Sequence, residues 1–93
     1  MEYDRSDCER RLEQALRLLR ALEEDIVLEM SMAGPRTQTT WHHLQIELAS
    51  VMCNGYDPSP ENCSEFEEVA EHFRLFLKYL KLEQLGTQAS AEA

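Results

Sequence analysis

Positive charge is scarce in this sequence: 9 lysines and arginines stand against 18 aspartates and glutamates, for a formal net charge of −9. An excess of that size repels nucleic-acid phosphates and anionic membrane surfaces, so direct binding to either is not expected. Cysteine is sparse and odd in number, and Cys8, Cys53 and Cys63 form no CxxC or similar pair. Small secreted scaffolds use even, dense cysteine sets, so these three read as free thiols in a reducing compartment. No apolar run approaches the roughly 20 residues of a membrane helix. The opening MEYDRSDCERR is charged and has no apolar core, which argues against a secretory leader and makes the cytoplasm the expected location. No segment alternates with a period of two over strand length, and no internal repeat is present. A Gly-rich phosphate loop, calcium-loop spacing and a catalytic elbow are all lacking, so no enzymatic activity and no cofactor are expected.

What is present is helical periodicity. At 93 residues with an apolar fraction of 43 %, the chain is one globular domain. A domain this small buries only about 60 % of the surface its unfolded chain exposes, so dimerisation or docking is a common source of further stability. A first helix is expected from a cap at Ser6 or Asp7, with Leu12, Leu16, Leu19, Ile26, Met30 and Ala33 recurring at helical spacing. Ala15, Leu18 and Leu22 widen that stripe, and Gly34-Pro35 is expected to end it. Arg36 to Thr40 reads as a polar connection in which Thr39 or Thr40 caps a second helix. Trp41, Leu44, Leu48, Val51 and Met52 share a face of that helix, which Asn54-Gly55 closes. The third helix has two candidate starts, Ser59-Pro60-Glu61 with proline in the first turn, and Ser64 to Glu67 as a capping box. Phe66, Val69, Ala70, Phe73, Phe76, Leu77 and Leu80 form its apolar face, and Gly86 is the expected stop. The predicted fold is all-α, a three-helix antiparallel arrangement with a long first helix that dimerises. Residues 1–86 form the domain and 87–93 a flexible tail.

Unrolling the helices at about 100° per residue leaves apolar residues away from the main faces. Leu28 and Met32 lie opposite the first stripe, Ile46 and Cys53 lie off the second, and Leu75, Tyr79 and Leu82 lie opposite Phe73, Phe76 and Leu80. An irregular bundle could wrap these side chains internally. The favoured reading is a second burial surface, either a homodimer interface or a partner groove. The contact residues expected for it are Leu19, Leu22, Ile26, Leu28, Met32, Leu75, Tyr79 and Leu82. Met repacks easily and Tyr supplies contact area at low entropic cost, as a binding surface requires.

The candidate chemistry has blander explanations. His42, His43, Glu47 and Cys53 supply one weak metal-ligand pair where zinc needs three or four ligands, so no metal site is expected. Cys53 or Cys63 with His72 could form a nucleophile and base, but the acidic middle of the chain raises thiol pKa values. Cys53 is expected to be buried and inert, and Cys63 to sit exposed in a turn. Glu65, Glu67, Glu68 and Glu71 read as a solvated helix start rather than paired catalytic carboxylates. Asn62-Cys63-Ser64 matches the glycosylation pattern by chance, and Glu13 with Arg17 is an expected intrahelical pair.

A long leucine-rich helix, Leu12 to Ala33, is followed by a polar break and the run Trp41-His42-His43-Leu44-Gln45-Ile46-Glu47-Leu48-Ala49. In this order of parts and in its acidity the chain resembles the small helical quorum-sensing anti-activators of Gram-negative bacteria, which bind LuxR-type transcription factors. The resemblance spans about two-thirds of the chain, rests on architecture and charge, and identifies no binding residues. It implies stoichiometric sequestration of a transcriptional regulator by a helical homodimer. The expected partner is a protein with a basic or amphipathic surface. A secretion-system chaperone and an immunity or antitoxin protein masking a basic partner are the alternative readings.

Overall fold

Cys8, Leu12, Ala15, Leu19, Leu22 and Ile26 are the buried residues of the first helix, and their spacing alternates four, three, four, three, four. That is the period of a coiled-coil seam. The computed structural model describes the backbone of residues 5–92 and side chains over 5–83. Within it α1 spans Arg5–Glu29, α2 Pro35–Cys53 and α3 Pro60–Glu92, with a 3-10 turn over Met30–Met32 and no strand among the described residues. On α3 a matching series, Cys63, Phe66, Ala70, Phe73, Leu77 and Leu80, is buried at alternating spacings of three and four. All of these residues belong to one core.

Two contacts fix the direction of the α1–α3 pair. Cys63 Sγ lies 3.1 Å from the Cys8 carbonyl oxygen, and Arg11 Nη2 lies 2.6 Å from Glu67 Oε1. Residue numbers rise together in both, so α1 and α3 run parallel. α2 runs antiparallel to α3, because Trp41 packs on Phe73 and Phe76 while Glu47, further along α2, meets His72. Successive helices are therefore antiparallel, as expected, and the first and third are parallel. Trp41 anchors α2: its ring meets Phe73 edge-on at 5.2 Å and stacks on Phe76 at 5.9 Å. Leu44, Leu48 and Val51 of α2 are only half-buried, so α2 lies shallowly on the α1–α3 pair. The molecule is elongated, 59 × 20 × 19 Å.

The break between α1 and α2 differs from the expectation. Gly34 has φ −77° and ψ 173°, an extended rather than left-handed conformation, and it precedes Pro35 at the first position of α2. Gly34-Pro35 therefore opens α2 instead of capping α1, because proline sets the φ of a first turn and its missing N–H would be unpaired there anyway. α1 ends earlier, through the Met30–Met32 turn, where the Ala33 N–H donates to the Met30 carbonyl at 3.0 Å. Thr39 and Thr40 are not caps; their hydroxyls donate to the Pro35 and Arg36 carbonyls at 3.0 and 3.2 Å inside the helix.

Gly55 closes α2 with φ +89°, the left-handed conformation that glycine favours. α3 takes the earlier start. Ser59 Oγ accepts the Asn62 N–H at 3.2 Å, and the Asn62 side chain donates to the Gly55 and Asp57 carbonyls, tying the 55–59 link to the helix. This start places Cys63 inside α3 and fully buried, while Cys53 is exposed, the reverse of the expected exposures. The α3 backbone is helical past Gly86, where a stop was expected, to Glu92.

Candidate functional site

The expected contact residues divide between core and surface. Leu19, Leu22 and Ile26 are buried in the intramolecular core that α1 forms with α3, so none faces outward for a partner. This corrects their assignment, since a leucine seam looks the same in sequence whether its mate lies on the same chain or another. Leu28 and Met32 are the opposite case, 75 % and 87 % exposed at the end of α1, with Val27 exposed beside them. Leu75, Tyr79 and Leu82 are exposed on α3.

These exposed residues fall in different places. Val27 and Leu28 line an open groove with Arg20, Glu23 and Glu24. Leu77 and Leu82 line a second with Arg74, Lys78 and Lys81. Tyr79 belongs to a third, at the start of α2, with Pro35, Thr37, Thr40, Phe76 and Glu83. The sequence reading missed Val27, although it follows Arg20, Glu23 and Glu24 at helical spacing and so shares their face.

Electrostatics separates the first two grooves. Most arginines are matched by carboxylates: Arg5 by Glu9, Arg10 by Asp7, Arg17 by Glu13 at 2.5 Å, and Arg11 by Glu67 across the helices. Arg74 grips Glu71 at 2.5 and 2.9 Å, which holds that carboxyl below the usual range. Among the described residues, Lys78 and Lys81 on α3 and Glu23, Glu24 and Asp25 on α1 form no ion pair. The end of α1 thus carries free carboxylates around apolar side chains, with Arg20, which forms no ion pair among the described residues, in the same groove; the α3 groove is rimmed by base.

The titratable clusters behave as structural groups. Burial, reinforced by neighbouring Cys8, pushes the Cys63 thiol up, so its nucleophilic thiolate is suppressed. His72 Nδ1 lies 2.7 Å from Glu47 Oε1, which ties α2 to α3 and directs Glu47 toward His72. Among the described residues no three His, Cys, Asp or Glu side chains converge as a metal site would require, and no helix is long and apolar enough to cross a membrane. In comparisons with known proteins, no family model, curated protein or solved structure matches the chain.

Proposed function

We propose that this chain is a small acidic regulatory protein of the cytoplasm that binds and sequesters another protein, a transcriptional regulator in the manner of a quorum-sensing anti-activator. The observation that carries the reading is the end of α1, where Leu28 and Met32 are 75 % and 87 % exposed beside the unpaired carboxylates of Glu23, Glu24 and Asp25. Such a surface suits a basic amphipathic segment: apolar side chains bury against Leu28 and Met32 while lysines or arginines meet the rim.

Magnitudes set the extent of the interface. Full burial of Leu28 or Met32 contributes roughly 1.5–3 kcal/mol each. Association costs about 4–15 kcal/mol in lost translational and rotational freedom. Two side chains cannot offset the upper part of that range, so Val27 and the rim carboxylates belong to the same contact. The thioether of Met32 repacks readily and tolerates an irregular partner surface.

The test is affinity capture from the native host with mass spectrometry of the bound proteins. A DNA-binding regulator in stoichiometric complex is expected. A secreted effector would point to a chaperone instead, and a basic toxin to an immunity protein.

A further inference from the structure

Cys8 and Cys63 are the first buried residues described on their helices, one on α1 and one on α3, and both belong to the common core. Because the two helices run parallel, these residues meet at one level of the seam. Cys63 Sγ lies 3.1 Å from the Cys8 carbonyl oxygen, and the Cys8 thiol is a second hydrogen-bonding neighbour of the Cys63 thiol. Arg11 and Glu67 clamp the same level and hold the register that brings the cysteines together. Cys53, by contrast, is exposed on α2. Either buried cysteine alone would be a small core residue. Two thiols in contact across separate helices are also placed to bond. A disulfide joins residues whose Cα atoms are about 4.4–6.8 Å apart, the short range in which one residue's sulfur reaches the other's main chain, as Cys63 reaches Cys8.

We propose that Cys8 and Cys63 are an oxidative modification site, converted to an intramolecular disulfide by low-molecular-weight disulfides. The exchange has two steps. The Cys8 thiolate attacks one sulfur of the small disulfide, forms a mixed disulfide and expels the other half as a thiolate. The Cys63 thiolate then attacks the Cys8 sulfur, closes the Cys8–Cys63 bond and expels the second half. Two protein thiols and one small disulfide become one protein disulfide and two small thiols, which carry away both electrons and both protons. Cys8 enters first because it lies in the opening turn of α1, and helix ends open more readily than helix interiors. The start of α3 is fastened by the Ser59 and Asn62 hydrogen bonds, which keep Cys63 in place as the resolving thiol. The bond closes the chain from Cys8 to Cys63, through all of α2, and so restricts the unfolded state. It staples the helix starts about 30 Å along α1 from Leu28, by helical rise, so oxidation hardens the fold and leaves that surface open. The inference goes beyond the partner-binding reading and does not depend on it, because it concerns the purified chain alone.

The test uses the Cys53→Ser chain, which removes the exposed thiol and keeps the buried pair. The folded chain is incubated with oxidised glutathione in the absence of denaturant, then alkylated and weighed by mass spectrometry. The expected product is two hydrogen atoms lighter than the dithiol and free of glutathione. Its tryptic peptides 6–10 and 37–74, which carry Cys8 and Cys63, should be joined. Dithiothreitol is expected to reverse the reaction. The oxidised chain is expected to unfold roughly 10 °C or more above its own reduced form. Both forms are the same polypeptide, so no core substitution enters the comparison. A folded chain that stays a dithiol in excess oxidised glutathione would overturn the proposal. So would a reaction that stops at the mixed disulfide, or a disulfide that leaves the thermal midpoint unchanged or lowers it.

Discussion

Arg11 of α1 and Glu67 of α3 meet through two hydrogen bonds, Nη2 to Oε1 at 2.6 Å and Nε to Oε2 at 3.2 Å, at the edge of the parallel seam. The hydrogen bond and charge of Glu67 push the Arg11 guanidinium further above its ordinary range. Because both side chains stay partly open to water, the pair specifies register more than it stabilises. Arg11→Lys keeps the charge and loses the two-pronged geometry, so it is expected to behave closer to Arg11→Ala than to wild type. Thermal unfolding should show a small loss for both that shrinks as salt is raised. A loss that salt leaves unchanged would assign the effect to packing of the arginine stem.

Cys63 ties stability to pH. Burial and the adjacent Cys8 raise its pKa above the ordinary value of 9.0 in the folded chain. The unfolded chain therefore releases a proton that the folded chain still holds. The stabilisation is complete below pH 9.0 and is lost as pH climbs above it. Urea unfolding at about pH 7 and about pH 10 should give a steeper decline for wild type than for Cys63→Ala. Equal declines would contradict the assignment.

Phe73 is fully buried and meets Trp41 edge-on at 5.2 Å. Phe73→Ala is expected to cost about 3–5 kcal/mol. Against a total of about 5–15 kcal/mol, toward the lower end for so small a domain, that leaves little folded protein. Phe76→Ala removes the stacking partner of Trp41 and should loosen α2 first. Trp41 is the sole tryptophan, so its fluorescence should shift to the red while much of the helical circular dichroism of α1 and α3 persists.

Gly34 and Gly55 predict opposite outcomes. A Cβ at either meets nothing within 4 Å, so backbone conformation alone decides. Gly55 has φ +89°, and Gly55→Ala is expected to cost about 1–2 kcal/mol. Gly34 is extended with φ −77° and caps α2, and Gly34→Ser adds a side-chain oxygen for the free amides of the first turn. A gain of a few tenths of a kcal/mol is expected. Chemical denaturation of the two variants measures both effects.

The apolar stripes of α1 and α3 were mostly legible because helix period determines them, although Leu18, expected to widen the first, is exposed, and Cys8 and Cys63 extend the two stripes unforeseen. The closure of α2 at Asn54-Gly55 and the exposure of Leu28, Met32, Leu75, Tyr79 and Leu82 were legible too. Gly34-Pro35 was misread because glycine then proline fits the end of one helix and the start of the next equally well. The exposures of Cys53 and Cys63 were exchanged for a related reason. Once α3 starts at Pro60, Cys63 sits three residues before Phe66 and joins its stripe. Leu19, Leu22 and Ile26 carried no mark of which helix they would meet, since seam period is independent of whether the partner is covalently attached. Rim charge was partly legible: Glu23, Glu24 and Asp25 are adjacent in sequence, and neither Lys78 nor Lys81 has a carboxylate three or four residues away on α3, but that no carboxylate of another helix reaches them emerges only from the packing.

Binding of the captured regulator by wild type and by Leu28→Ala/Met32→Ala tests the central claim most directly, with isothermal titration calorimetry as the readout. Both side chains are exposed, so the variant should keep wild-type helicity. The account predicts one-to-one binding by wild type and an affinity loss of roughly tenfold or more in the variant, a change of about 1.4 kcal/mol. Equal affinities would contradict it.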